Sequence, residues 1–568
     1  MKIRIVDNGY VYSQKYDDDA ILRNDGLYFQ RKGLEQALED SDCDGVDYTQ
    51  FCNGRVLTDA QQQTADFILQ NKRCYVFNGM GTGKTMSSLM AILVLARIHP
   101  EYRFLIISSK TVLASAWVPE VENVCPYLPL VLAEGSIEKK RKIIFDREKK
   151  FVGISADSLH IVNKDKFDVI IADEATLFKG AQGVRGTKRG DCFCDLASSD
   201  KTDRLILMTG TPRAHNCMDA YGLYYIMNDK QRKYNIAHKC NNGENKIYNK
   251  TQFREKVCVP MTFRDFMVYK NCKDEKTWDN IKHTVSCGLY ADLPLDKFID
   301  LLNHAGRDAV CMWVERPNAN EILLDLLSPA IAFRTEDVLD LPDCPIVDVC
   351  VDMTKEERDS LNLMKRKMIM QFYDKEDIIA NRMVLEGKLE QMNCGVVYDS
   401  DRNGQVILPD VYNKVIKFVI TRLQSLESDR GLVIASRYNH ILNVIYSVCE
   451  TILGEGSVNF IHGGVSSKLR TQYVKDFRSL KTRVLLANTA CLSHGVTLVE
   501  AKEMILLDTP QYAEPYIQVK GRVHRRGQKW EIPIYRIISN AVVKHRFDVL
   551  EGAEDRDDDF VRLVTEDE

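Results

Sequence analysis

From about residue 57 onward the chain alternates between short, wholly apolar runs and longer stretches of helical character. RCYVF (73–77), FLIIS (104–108), FDVIIAD (167–173) and RLILMTG (204–210) form a first series. GLVIAS, SVNFIHG, RVLLAN, EMILLDT and IPIYRII form a second, in a segment that begins near residue 415. Buried strands separated by helices predict parallel sheets with crossovers, so the pattern reads as two α/β lobes in tandem. Residues 1–56 read as a small separate module. KIRIVDNGYVY and GLYFQRKG suggest two short strands there, and GLEQALED a short helix. The stretch 214–345 is rich in Lys, Asn and Asp, with little strand signal. The expected organisation is therefore a module at 1–56, a first lobe at 57–235, a mostly helical insertion and connection at 236–345, a second lobe at 346–550, and an acidic, disordered tail at 551–568.

Composition narrows the class. A chain of 568 residues allows about three to five domains. With 45% hydrophobic and 28% charged residues it is neither mostly disordered, collagenous nor a disulfide scaffold. The N-terminal sequence lacks the apolar stretch of a secretory signal. The longest apolar stretch, Met86–Ile98, is too short to span a bilayer and reads as a buried helix. The 17 cysteines are odd in number and form no CxxC pair. Cys192 and Cys194, with Cys240, Cys258, Cys272 and Cys287, are a weak zinc candidate beside the better reading of free thiols in a reducing cytoplasm. The expected location is cytoplasmic, in a bacterium or an infected host, neither secreted nor in a membrane.

Candidate chemistry begins at Asn78-Gly-Met-Gly-Thr-Gly-Lys-Thr85, which follows an apolar strand and opens a long apolar helix. Such a turn presents backbone N–H groups and a helix N-terminus to phosphates. Gly81 and Gly83 permit close approach. Lys84 would reach the β- and γ-phosphates, and Thr85 would hold Mg²⁺. Asn78 replaces the usual first glycine of the motif. Asp173, ending the run FDVIIAD, would hold the metal, and Glu174 would act as general base on the attacking water. Thr209-Gly210-Thr211-Pro212 arrives at the same edge. Late in the chain, Gln518, Arg522 and Arg525 fall at helical spacing on one face. Arginines of this kind stabilise transition-state charge on a transferring phosphate. Lys520, Arg526 and Lys529 read as solvated or as phosphate contacts.

With these motifs in order, residues 57–545 resemble a superfamily 2 helicase-like ATPase of the SWI/SNF-related branch. Leu57-Thr-Asp-Ala-Gln61 with Phe67-Ile68 resembles the glutamine motif that reads adenine. Met80-Gly-Thr-Gly-Lys-Thr85 is similar to that branch's phosphate loop, which also lacks the first glycine. Ser109-Lys-Thr-Val-Leu with Trp117 and Glu120, Thr209–Pro212 with Asn216, and Phe333-Arg-Thr-Glu-Asp-Val338 with Leu341-Pro342 resemble further motifs, the last at the inter-lobe connection. Leu432–Ser436, Gly463 with Arg470, and Gln518–Gln528 complete the resemblance. Thr176 stands where the branch's DEAH-like motif has His, and Thr497 where Asn is usual.

The resemblance implies two RecA-like parallel-sheet lobes with ATP and Mg²⁺ as cofactors. It implies nucleotide contacts from Gln61, Met80, Gly81, Thr82, Gly83, Lys84, Thr85, Gly495 and Gln518, catalysis by Lys84, Asp173, Glu174, Arg522 and Arg525, and coupling through Thr209, Gly210 and Thr211. Ser109, Lys110, Ser436, Arg437, Thr489 and His494 are the nucleic-acid contact candidates. The expected activity is ATP-driven translocation along duplex DNA without sequence specificity, by a monomer of compact bacterial, phage or viral type. A protein partner could dock through residues 1–56 or the tail. A strand-separating helicase or RNA-dependent NTPase shares the core, and an ATP-gated protein-binding switch is the reading from another class.

Net charge is −4 with a pI near 6.3, which by itself argues against a polyanionic partner. Partitioned, the picture changes. Residues 551–568 carry nine acids against two bases, and residues 1–56 eleven against seven. That leaves +7 on residues 57–550, where every motif lies.

Overall fold

The computed structural model describes residues 3–6, 9–12, 20–22, 28–30, 34–39, 43–162, 167–181, 187–197, 202–213, 216–228, 248–262, 310–363, 387–398, 404–492 and 496–566. The chain divides into two compact units, 1–261 with 312–339 and 556–568, and 262–311 with 340–555.

The first 56 residues do not stand apart as a module. β1 (Ile3–Val6) pairs with β2 (Gly9–Tyr12), and β3 (Ala20–Leu22) with β4 (Tyr28–Gln30), all antiparallel. A two-stranded ribbon is marginal alone and needs a surface to cover. Ile3, Ile5, Leu34, Leu38, Val46, Tyr48 and Phe51 find that surface in the core formed by the helices Asp59–Gln70 and Lys84–Ile98. Asp66 locks the join, accepting from Val46 N at 3.1 Å and from Tyr48 Oη at 2.7 Å.

The first lobe is built on β5 (Arg73–Val76), β6 (Phe104–Ser108), β7 (Val131–Leu132), β8 (Phe151–Ser155), β9 (Val169–Asp173) and β10 (Arg204–Met208). β11 (Cys258–Thr262) and β12 (Val310–Glu315) form a separate pair, and β13 (Ala330–Ile331) returns to the main sheet. The sheet order is β13-β5-β10-β9-β6-β8-β7, with parallel neighbours. Strands β5, β6, β8, β9 and β10 are buried along their length, which is why they read as unbroken apolar runs. The helix Lys84–Ile98 is buried continuously from Met86 to Leu95, hence apolar all round. Where a mostly helical insertion was expected, the described residues hold β11, β12 and β13 beside short helices. Tyr248, Phe253, Val257, Leu323 and Leu326 belong to this lobe's own core.

The second lobe contains β14 (Ile346–Cys350), the hairpin β15 (Val396–Tyr398) and β16 (Gly404–Val406), then β17 (Gly431–Ser436), β18 (Val458–Ile461), β19 (Val484–Asn488), β20 (Ala501–Leu506) and β21 (Ile534–Ile538). Its sheet runs β14-β21-β20-β17-β19-β18, again parallel. The α/β class with two parallel-sheet lobes is thus as expected.

The C-terminal segment departs from expectation. It is not a disordered tail: one helix runs Ala541–Glu566. Val543, Phe547, Leu550 and Ala553 bury against the second lobe at helical spacing, and that apolar stripe overrides the surrounding acids. Among the described residues no helix is long and apolar enough to cross a membrane.

Candidate functional site

Ligands of open parallel sheets bind outside the carboxyl ends of the strands, and the first lobe gathers its motifs there. The loop after β5 turns into the helix Lys84–Ile98 through Gly81 and Gly83, whose φ angles are 78° and 94°. Only glycine takes that left-handed region freely. Gly83 is constrained a second way, since a Cβ there would lie 2.0 Å from Gln61 Nε2. Gln61 is buried in the first turn of its helix. Its Oε1 accepts from Thr58 N at 3.1 Å, closing a capping box, and the amide nitrogen is left beside the glycine loop. Asn78 explains its place in the motif. Its Nδ2 donates to Thr64 Oγ1 at 2.8 Å, which ties the loop to the Gln61 helix.

Lys84 folds back onto its own loop, donating to the carbonyls of Asn78 at 2.7 Å and Gly79 at 3.0 Å. Thr82 Oγ1 also donates to Gly79 O at 2.9 Å, so the loop is braced from within. Met80, Gly81 and Thr85 are partly exposed around the cradle. Gly210 follows β10 and faces the loop: a Cβ there would sit 3.4 Å from Asn78 O and 3.5 Å from Lys84 Nζ. Thr209 and Thr211 on either side are buried, and Thr209 Oγ1 accepts from Thr211 N at 3.1 Å.

At the end of β9, Asp173 is 5% exposed. Its Oδ2 accepts from Trp117 Nε1 at 2.9 Å and its Oδ1 from Glu174 N at 3.1 Å. Burial raises its carboxyl above the ordinary range, opposed by the Trp117 bond and by the Lys84 charge. Glu174 has φ 58° and ψ 56°, left-handed backbone in a residue that is not glycine. Asn53 and Leu480 are the only other such positions among the described residues. Strain of this kind costs about 1–3 kcal/mol and concentrates at working sites. These groups fit a nucleotide with Mg²⁺: a glycine cradle, a lysine that can exchange its carbonyls for phosphate, a partly exposed threonine and a carboxylate with lone pairs to spare.

The sequence pattern gave no hint that the Phe333–Val338 signature belongs to this cradle. Gly79 N donates to Phe333 O at 2.7 Å, and Thr335 Oγ1 to Met80 O at 2.9 Å. A Cβ on Gly79 would lie 2.6 Å from Thr335 Oγ1.

Along the same strand edge, Ser109 caps the next helix, accepting from Val112 N at 3.2 Å, and Lys110 is exposed. Lys110 lines a polar pocket of about 210 Å³ with Gly135, Lys140, Gly153 and Ser155. Lys140 and Ser155 escaped sequence reading because neither lies in a recognisable motif.

The second lobe corrects several expectations. The helix Ala513–Val523 ends before Arg525, so Gln518 and Arg522 share it while Arg525 lies in the turn beyond. Gln518 and Arg522 are buried. The Arg525 carbonyl accepts from Gln528 N at 3.0 Å, while no hydrogen bond or ion pair holds its guanidinium among the described residues. Its pKa is lowered by burial and by the neighbouring Arg478 charge. Gln528 pins the turn, donating to Val523 O at 3.1 Å and accepting from Lys529 N at 2.9 Å. Lys520 is not a solvated base or a phosphate contact. It pairs with Glu554 at 2.6 Å, while Tyr516 Oη bonds Glu551.

Ser436 and Arg437, expected to touch nucleic acid, are spent internally. Ser436 is fully buried and donates to Asp508, and Arg437 pairs with buried Glu390 at 2.5 Å. Burial lifts the Asp508 carboxyl to about 6. Thr489 is buried as well. His494 and Gly495 lie outside the described residues. Of the zinc candidates, Cys192, Cys194 and Cys258 are described, and these form no metal cluster with other described residues. Cys258 lies 3.4 Å from Cys217, Cys240, Cys272 and Cys287 are outside the described residues, and no cluster of three or more His, Cys, Asp or Glu side chains occurs among the described ones.

Residues 30–395 match the SNF2-related domain, and residues 411–527 the helicase conserved C-terminal domain. The ATP-dependent helicase fft1 of Schizosaccharomyces pombe is 20% identical over 501 residues, 82% of this chain and 48% of its own length. An uncharacterized ATP-dependent helicase of Mycoplasma pneumoniae is 22% identical over 483 residues, 82% of this chain and 38% of its own. The chain therefore spans about half the length, or less, of these curated relatives. A solved structure, the Sulfolobus solfataricus SWI2/SNF2 ATPase core in complex with dsDNA, covers 89% of this chain and 93% of its own at 16% identity, with a TM-score of 0.36.

Proposed function

Because the chain belongs to the SNF2-related family, we propose that it is an ATP-dependent DNA translocase, hydrolysing ATP to move along duplex DNA without separating the strands or reading their sequence. The observation that carries the hydrolytic part is Glu174. It is held in strained left-handed backbone directly after Asp173, at the strand edge where the Lys84 loop and Gly210 also converge.

In this reading Gln61 offers its amide nitrogen to the base, because its oxygen is already committed to Thr58 N. The Gly79–Gly83 loop and the N-terminus of the helix Lys84–Ile98 hold the phosphates. Lys84 leaves the carbonyls of Asn78 and Gly79 for the β- and γ-phosphates, so its internal bonds hold the loop's shape until substrate arrives. Thr85 and Asp173 would hold Mg²⁺, which neutralises phosphate charge when bound. Glu174 takes the proton of the attacking water. Arg525, supplied from the second lobe, meets the developing γ-phosphate charge, with Arg522 and Gln518 beside it. Thr209, Gly210 and Thr211 sense the loop through Gly210.

Nucleic acid is proposed to contact the first lobe through Lys110, Lys140 and the Ser109 turn. Contacts to phosphate position a protein without carrying sequence information. The excess of +7 on residues 57–550 supports modest, salt-sensitive affinity. The chain is proposed to act as a monomer in a reducing cytoplasm, which suits its free cysteines.

The test is ATP turnover measured in parallel without nucleic acid and with single-stranded DNA, duplex DNA and RNA. Duplex stimulation together with displacement of a triplex-forming strand is expected. Unwinding of a tailed duplex without triplex displacement would instead make it a strand-separating helicase. Turnover indifferent to every nucleic acid would favour an ATP-gated protein switch.

A further inference from the structure

The helix that begins at the exposed Lys110 is not regular. It runs Lys110–Val112, widens to a π turn over Leu113–Trp117, and continues Val118–Val124. The bond that defines the wide turn is from Val118 N to Leu113 O. Pro119 follows at once and can donate no hydrogen bond to the preceding turn, so a widened turn is a natural way to pass it. Such insertions are rare and collect at functional sites. Here the turn delivers one side chain. Trp117 is fully buried, its ring edge-to-face with Phe151 at 6.5 Å, and its Nε1 lies 2.9 Å from Asp173 Oδ2.

This contact has a specific geometric effect. Asp173 is nearly enclosed, and each of its carboxylate oxygens accepts one N–H, Oδ2 from Trp117 and Oδ1 from Glu174. The carboxylate plane is therefore fixed from two sides. Without the indole, one oxygen would lose its donor and the group could turn about its last torsion. Ring packing alone needs no N–H, yet this nitrogen points at a carboxylate.

We propose that Trp117 is a positioning residue for the metal-holding carboxylate of Asp173, and that the π turn links that carboxylate to the helix that begins at Lys110. This rests on the nucleotide-hydrolase reading above. Partners that orient a ligating group typically change metal affinity or activity by about 10–100-fold when removed.

The experiment compares the wild type with Trp117→Phe, which keeps an aromatic ring and removes the N–H. Binding of fluorescent adenosine diphosphate is titrated with and without Mg²⁺, alongside ATP turnover and thermal melting. The variant is expected to melt normally and bind metal-free nucleotide as before. It should need about tenfold more Mg²⁺ for half-maximal binding, and lose about tenfold in kcat with KM for ATP unchanged. An unchanged Mg²⁺ requirement, in a wild type that does show one, overturns the role of Trp117 and leaves the hydrolase reading standing. A wild type without Mg²⁺-dependent nucleotide binding overturns both.

If Trp117→Phe does not fold, fluorine NMR of the 5-fluorotryptophan-labelled wild type decides. The chain has four tryptophans, and Phe variants of Trp278, Trp313 and Trp530 assign their resonances. Broadening of the remaining resonance by Mn²⁺ with adenosine diphosphate supports the proposal. A sharp Trp117 resonance under saturating Mn²⁺ and nucleotide overturns it.

Discussion

Thr335 donates its hydroxyl to the carbonyl of Met80 at 2.9 Å, joining the segment after β13 to a loop 255 residues earlier. The neighbouring bond from Gly79 N to Phe333 O makes this a two-point attachment. Thr335→Val keeps the shape and deletes the donor. A net loss of about 0.5–1.5 kcal/mol is expected. It should appear as several-fold weaker ATP binding in a nucleotide titration, with a small drop in melting temperature. Unchanged ATP affinity would mean that the segment merely lies beside the loop.

Glu174→Gln preserves size and hydrogen bonding but cannot take a proton. Turnover should fall by about 10²–10⁴. Equilibrium ATP binding should stay within about twofold, which separates a base from a binding group. Single-turnover kinetics with radiolabelled ATP would read both quantities together.

Arg525 and Arg526 are adjacent, and burial beside Arg478 lowers the pKa of Arg525. Arg526 is exposed. Arg525→Ala should cost about 10³ or more in kcat, in keeping with a charge supplied to the transition state. Arg526→Ala should leave kcat within about threefold. Equal losses in steady-state assays would contradict the assignment.

Asp508 is predicted to make stability depend on pH. Its folded pKa of about 6 lies above the unfolded carboxylate value, so the folded state holds the proton more tightly. The resulting contribution is present in full below the unfolded pKa and is lost as pH rises through about 6. A shift of this size corresponds to about 3 kcal/mol. Melting temperatures from pH 4 to 7 should therefore decline more steeply in the wild type than in Asp508→Asn. Parallel profiles would show that Asp508 does not titrate in this range.

Lys520→Met should lower the melting temperature, because it leaves Glu554 without its partner in a half-enclosed site at a cost of about 1–3 kcal/mol. The salt dependence of duplex binding should not change. A shallower slope of log affinity against log salt would restore Lys520 as a phosphate contact.

How much of this was legible depended on whether a signal was local. The phosphate loop, the β9 acids and five of the eight second-lobe strands, β17 to β21, were readable, because each is a short run whose period or composition is self-contained. β7 and β13 are two residues long and carry no period, so their place in the first sheet was invisible. Ser436 and Arg437 were contact candidates through the resemblance alone, at the end of β17. Their partners, Asp508 and Glu390, are supplied by remote segments that no local pattern announces. Thr335 and Trp117 were noticed as motif members, but their bonding to Met80 and Asp173 required the fold.

The C-terminal acids have a last consequence. Glu551 and Glu554 hold Lys520, and Glu551 also meets Arg536 at 3.2 Å and Tyr516, so the residues beyond Leu550 mask bases rather than trail behind them. A proteolytic nick or premature stop at that point would strip the shield together with the last packed turn of the helix, at Ala553. The shortened enzyme would become stickier towards any polyanion while tolerating less heat. For this chain, indiscriminate adhesion and fragility would arise from the same cut.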